Sequence, residues 1–182
     1  MEQIVIVVHG LLGIIPPISR GTRNIDKLVD ALGEFPVESY IQMNWRAAIR
    51  SLKRHKKIAD GNLEVLLVGH SMGCYRNIAI ATWCRTQGIR VKYIAAIDPT
   101  SLHKMWGMTP MKVPHGVEAV DSFYARVGIC AAARKRDPSG RAGGKYVFPL
   151  GWRGKHTQRV YNETHIGVAS NTRVQKRIVE QV

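Results

Sequence analysis

Residues 4–8 form an uninterrupted β-branched run, Ile-Val-Ile-Val-Val, closed by His9-Gly10. A run that is apolar at every position predicts a parallel strand buried on both faces rather than an amphipathic one. The stretch 11–21 that follows carries Gly13, Pro16, Pro17 and Gly21 and is read as a loop. Then the period changes. Ile25, Leu28, Val29 and Leu32 recur at helical spacing, with Asn24 as the expected N-cap and Gly33 as the stop. Residues 37–43 predict a second strand, and Asn44 a cap for a helix over 45–59 whose apolar stripe is Trp45, Ile49, Leu52 and Ala59. Gly61-Asn62 marks a turn, and 64–68 is another apolar strand that runs straight into Gly69-His70-Ser71-Met72-Gly73. A helix over 74–87 ended by Gly88 and a strand over 92–97 stopped by Asp98-Pro99 come next. A strand within 117–127, a short one at 158–161, and a last helix capped by Asn171 with Val174 and Ile178 inward complete the series.

Strands alternating with helices at this spacing predict an open, mostly parallel α/β sheet of about six strands with helices on both faces. The 182 residues contain no internal repeat and no linker, so residues 1–182 are read as a single domain without a large cap. Ligands of such sheets bind outside the carboxyl ends of the strands, and His9, Ser71, Asp98 and His165 all follow predicted strands. They are expected on one rim. Two stretches break the alternation. Residues 101–115 hold Leu102, Met105, Trp106, Met108 and Met111 among prolines and a glycine, which suits an apolar flap. Residues 134–154 are glycine-rich and basic and predict a long loop or hairpin excursion.

Charge changes this picture. A formal net charge of +14 and a pI near 10.2 favour contact with something anionic, such as a lipid surface, an acidic envelope or nucleic acid. Much of the charge falls on the helix over 45–59, through Arg46, Arg50, Lys53, Arg54 and Lys57. No apolar run approaches the roughly 18–20 residues needed to cross a bilayer, and no basic leader precedes Ile4, so an uncleaved, cytoplasmic chain is expected. Three cysteines, two of them in one predicted helix, suggest no disulfide framework, and Cys74 is read as a small buried hydrophobe.

The chemistry concentrates at Gly69-His70-Ser71-Met72-Gly73. A G-x-S-x-G pattern between an apolar strand and a helix is a nucleophile elbow, with serine on a strained turn and glycines allowing close approach. A serine hydroxyl is a poor nucleophile at neutral pH. It needs an imidazole to take its proton, a carboxylate to hold that imidazole in the right tautomer, and donors for the tetrahedral oxyanion. The backbone N–H of Met72 supplies one donor, and that of Leu11, after His9-Gly10, is the natural second. No paired-cysteine, H-E-x-x-H or phosphate-loop pattern occurs, so neither metal nor cofactor is expected.

With His9-Gly10 as an oxyanion loop, residues 69–73 as the elbow and a late histidine, the chain resembles the α/β-hydrolase superfamily of lipases and esterases over nearly its whole length. It departs by lacking a leading pair of antiparallel strands and a large cap, which implies a short enzyme with an open site. Of the seven histidines, His165 matches the superfamily's Ser, acid, His order, because it follows the last strand; His156 is placed before that strand. For the acid, Asp98 follows the strand after the elbow in an Ile-Asp-Pro context like that of pancreatic-type lipases. Most superfamily members place it one strand later, where Asp137 stands among Arg134, Lys135, Arg136 and Arg141.

The resemblance implies a serine hydrolase that cleaves a small acyl ester through an acyl-enzyme on Ser71; the flap residues Met105, Trp106, Met108 and Met111 are expected either to meet the acyl group or to pack onto the core. Thioesters, amides and acyl transfer use the same groups. The other class of reading is a non-catalytic binding protein that presents a basic surface on the same fold; no specific nucleic-acid module is visible.

Overall fold

A computed structural model describes residues 2–10, 23–33, 35–100, 111–127 and 146–182. The elements, in order, are β1 (Glu2–His9), α1 (Arg23–Leu32), β2 (Val37–Ile41), a 3-10 turn (Gln42–Asn44), α2 (Trp45–Ile58), β3 (Leu63–His70), α3 (Gly73–Thr86) and β4 (Arg90–Ile97). They continue with β5 (Met111–Lys112), β6 (Val117–Ala125), β7 (Tyr146–Val147), β8 (Lys155–Tyr161), α4 (Gly167–Ser170) and α5 (Thr172–Val179).

Six strands form one sheet in the order β2-β1-β3-β4-β6-β8, every pair parallel. The chain leaves β1 toward one side and returns through β3 on the other. That reversal opens a crevice between the carboxyl ends of β1 and β3. Because successive strand residues face opposite ways, the two layers of helices divide the core residues alternately. Ile4, Ile6, Val8, Val65 and Leu67 pack with Ala48 and Leu52 of α2 and Ile80 and Cys84 of α3. Val5, Val7, Leu66, Val68 and Tyr93 pack with Leu28 and Leu32 of α1 and Val168, Val174 and Ile178 of α4 and α5. Each fully buried aliphatic side chain contributes about 1.5–3 kcal/mol. The unbroken apolar runs of β1 and β3 thus reflect burial on both faces.

Several boundaries differ from the sequence expectation. β2 stops at Ile41 and yields to the 3-10 turn, and Asn44 makes no side-chain cap for α2. Asn24 lies inside α1, which begins at Arg23. Asn171 does cap α5, its side-chain oxygen accepting from the Arg173 N–H at 3.0 Å. The last strand starts at Lys155, so His156 is within it. Among the described residues β8 pairs with β6 alone, and its residues are mostly exposed, which frees it from the apolar pattern that marks the inner strands. Of the stretch 134–154, residues 134–145 lie outside the described residues; 146–147 pair in parallel with 111–112, and the Tyr146 hydroxyl donates to the Cys74 carbonyl at 3.0 Å under the start of α3. Among the described residues no helix is long and apolar enough to cross a membrane.

Candidate active site

One row of residues runs straight across the middle of the sheet: Val8 is opposite Gly69, Gly69 opposite Ala96, Ala96 opposite Ser122, and Ser122 opposite Gln158. Gly10, Ser71 and Asp98 each stand two residues beyond that row, at the carboxyl rim (10 − 8, 71 − 69 and 98 − 96). The sheet register alone brings them level.

Ser71 turns the chain from β3 into α3 with φ +57°, in the left-handed region that costs an L-residue about 1–2 kcal/mol. The turn is held by its neighbours: the Ser71 N–H donates to the Ile97 carbonyl at 3.0 Å, and the Thr100 N–H to the Ser71 carbonyl at 3.3 Å. Close approach requires glycine at position 73, where a Cβ would come within 2.0 Å of the Val8 carbonyl oxygen. Gly10 faces Ser71 itself. A Cβ there would lie 2.7 Å from Ser71 Cβ and 3.1 Å from Ser71 Oγ, so the main chain leaving β1 passes directly over the serine.

Asp98 also has a left-handed backbone, φ +39°, although it precedes a proline. Its N–H donates to the Phe123 carbonyl at 2.6 Å, anchoring it to β6. The side chain is 0% exposed. One carboxylate oxygen accepts from the Ala125 N–H at 3.0 Å, and the other lies 2.6 Å from Nδ1 of His165. A carboxylate only accepts, so Nδ1 carries the proton and Nε2 keeps its lone pair. His165 stands in the loop after β8, and its side chain retains 17% exposure. Strained backbone at both Ser71 and Asp98 fits a rim held in place for chemistry.

His70 adds a contact that the sequence did not point to. Its ring stacks on that of His165, centroids 4.7 Å apart and 29° from parallel, and its Nε2–H donates to the His165 carbonyl at 3.0 Å. Burial, and then the neighbouring His165, push the His70 imidazole down to about 4. His9, buried at the end of β1, has Nε2 on the Ser39 hydroxyl of β2.

The other histidines are placed elsewhere. His55 of α2 bonds Glu2 and Glu38, His156 within β8 is 3.3 Å from Ser122 Oγ, and exposed His115 stands just before β6, at the far edge of the sheet. Met72, beside Ser71, is buried. Leu11, Met105, Trp106, Met108, His103 and Asp137 lie outside the described residues. Met111 does not line an open flap: it is 1% exposed and packed in the core on the α2–α3 side. Apolar side chains that reach solvent at the rim include Ile41, which pairs with His9, Met43 after it, and Val127 just past β6.

A cleft of about 420 Å³ between His115, Glu118, Trp152 and Lys155 is at the amino ends of β6 and β8. Nine residues of β6 separate it from the rim, about 25 Å, so the cleft does not coincide with Ser71, Asp98 and His165. Among the described residues no group of three metal-ligating side chains occurs. Cys74 and Cys84 are free and buried; burial raises both thiols, Cys84 to about 12. On α2, Arg46, Arg50, Lys53, Arg54 and Lys57 are exposed, and none of them forms an ion pair among the described residues.

No protein-family model and no curated protein sequence matches the chain. Solved structures do. The RedJ thioesterase from the prodiginine biosynthetic pathway in Streptomyces coelicolor aligns at TM-score 0.54 and 13% identity, over 100% of this chain and 94% of that one. Est1E from Butyrivibrio proteoclasticus aligns at TM-score 0.53 and 14% identity, over 99% and 88%. The esterase of Pyrobaculum calidifontis aligns at TM-score 0.54 and 12% identity, over 99% and 76%. At these identities the likeness is one of fold. The chain has the fold of the α/β-hydrolases, without a separate cap domain among the described residues.

Proposed function

On this fold we propose that the protein is a serine hydrolase, with Ser71 as nucleophile, His165 as general base and Asp98 as the carboxylate that orients it. The single observation that carries the reading is the 2.6 Å contact between Asp98 and Nδ1 of His165, made by a wholly buried carboxylate two residues past the sheet row that also leads to Ser71. A buried carboxylate with one N–H from Ala125 and one from an imidazole is suited to balance an imidazolium.

In the proposed reaction Ser71 Oγ attacks the acyl carbonyl while its proton passes to Nε2 of His165. The N–H groups of Met72 and Leu11 receive the oxyanion. The tetrahedral species collapses with cleavage of the bond to the leaving oxygen, which takes the proton from Nε2. Water then attacks the acyl-enzyme by the same route, its proton going to Nε2 and on to Ser71 Oγ as the acid leaves. The acyl group would rest on Ile41 and Met43, with Met105, Trp106 and Met108 as further contacts. Carboxylic esters are the expected substrates.

Thioesters are the second reading, supported by thioesterases among the structures of like fold. A thiol leaves as its anion far more readily than an alcohol, so proton donation by His165 matters less for it. Matched ester and thioester substrates with one acyl group separate the two. For the basic α2 face we infer an anionic surface as partner, concentrating the enzyme where its substrate lies.

A fluorophosphonate probe tests the core of the proposal. Ser71 is expected to be the one labelled residue, with labelling abolished in Ser71→Ala and strongly slowed in His165→Ala. Undiminished labelling of Ser71→Ala overturns it.

A further inference from the structure

We propose that His70 is a positioning residue for His165, its ring bracing the face of the base while its Nε2–H tethers the base's own carbonyl to the nucleophile elbow. The proposal rests on the reading of His165 as base. Two residues distant in the chain, one directly before the nucleophile and one after the last strand, meet through a 4.7 Å ring stack and a 3.0 Å hydrogen bond.

The stack on His70 restrains a motion that the Asp98 contact by itself does not. A single hydrogen bond at Nδ1 fixes the position of that atom but acts as a hinge, because the ring can still twist about the Nδ1–Oδ2 line and swing Nε2 away from Ser71 Oγ. A second ring stacked on the imidazole blocks the twist. The main chain needs a hold as well. The loop is anchored by the Val127 N–H on the Glu163 carbonyl and by the Val168 N–H on the Thr164 carbonyl, and His70 adds a tie at residue 165 itself. Since Ser71 follows His70 directly, any shift of the elbow moves both reacting groups together.

The protonation state suits this role. His70 faces His165 from the loop after β8, Asp98 from the end of β4 and His9 from the end of β1. Burial, the largest influence, and the two histidines oppose its protonation, while the hydrogen bond to the His165 carbonyl and Asp98 favour it. A neutral imidazole that donates from Nε2 keeps its tether throughout the range in which His165 works, and places no positive charge beneath the imidazolium that forms on His165.

The test compares three variants per active site titrated with fluorophosphonate: His70→Phe keeps the ring and loses the donor, His70→Gln keeps a side-chain N–H and loses the ring, and His70→Leu loses both. Expected is a fall in kcat per titrated site of about tenfold to hundredfold for His70→Leu, with smaller falls for the other two and KM within about twofold throughout. Solvent exchange of the His165 Nδ1 proton, followed by NMR in the volume-conserving His70→Phe, should quicken in step. Variants that lose thermal stability or titratable sites while kcat per site and proton exchange stay at the wild-type value would overturn the proposal. Wild-type protein that does not label at Ser71 would instead remove the hydrolase reading beneath it.

Discussion

Asp98→Asn changes one oxygen to an amide nitrogen with almost no change in volume, and the geometry dictates two ways for the new group to sit. In the first, the amide oxygen keeps the Ala125 N–H and the NH₂ faces Nδ1 of His165. Nδ1 must then accept, so the imidazole proton moves to Nε2 and the base has no lone pair for Ser71. In the second, the oxygen faces Nδ1–H and the NH₂ confronts the Ala125 N–H, leaving two buried donors opposed at a cost of about 1–3 kcal/mol. Neither orientation preserves both contacts. The expected loss is about three to four powers of ten in turnover, equivalent to about 4–5.5 kcal/mol of barrier. Folding should be little affected. The assay is kcat for a short-chain acyl ester, measured on wild type, Asp98→Asn and Asp137→Asn at temperatures where each is fully folded. Asp137→Asn should be nearly silent. A larger loss in Asp137→Asn than in Asp98→Asn would refute the reasoning and identify a different acid.

Three further outcomes follow from the fold and its charges. Gly73→Ala places a methyl 2.0 Å from the Val8 carbonyl oxygen, so urea unfolding should show a loss of at least about 3 kcal/mol, and an unchanged midpoint would mean that α3 can retreat from β1. At His55, burial lowers the imidazole pKa but hydrogen bonds to Glu2 and Glu38 outweigh it, while Glu38 lies below the usual range because bonds from Ser51, Tyr40 and His55 outweigh its own burial. A raised imidazole stabilises fully below about pH 6.5 and loses that contribution as pH rises through the folded value, while the depressed Glu38 loses its share on acidification. The melting-temperature gap between wild type and His55→Gln should therefore be widest near pH 5–6, narrow toward pH 9, and correspond to no more than about 1 kcal/mol. Finally, binding to anionic vesicles should fall steeply from low to physiological salt and on joint charge reversal of Arg50, Lys53 and Lys57, with ester turnover in solution unchanged; salt-insensitive binding would argue against an electrostatic partner.

Legibility in the sequence tracked burial. β1, β3 and β4 were visible because strands covered on both faces must be apolar at every position, whereas β8, exposed along an edge, has the polar sequence Lys-His-Thr-Gln-Arg-Val-Tyr and showed only its last four residues. The two-residue strands β5 and β7 are too short for any periodicity, which is why the sequence left Met111 between flap and core. At the rim, Ser71 was marked by its local pattern, and Asp98 and His165 by their order after strands. The Ala125 N–H that holds Asp98 and the His70 ring against His165 join residues 27 and 95 apart, and no local pattern encodes them. His70 occupied the variable position of the elbow, so its type drew no attention.

The exposed edge strand has a bearing on how the protein would fail. His165 hangs from β8, whose one hydrogen-bonded neighbour among the described residues is β6, while Ser71 and Asp98 are rooted in the sheet's interior. Segments with few buried contacts open at a fraction of the global unfolding energy. Peeling of β8 would carry the base away and leave nucleophile, acid and both core layers standing. Mild denaturant would then produce a population that is still folded by its far-ultraviolet signal yet catalytically silent, and that regains activity on dilution as quickly as one strand can zip back into place.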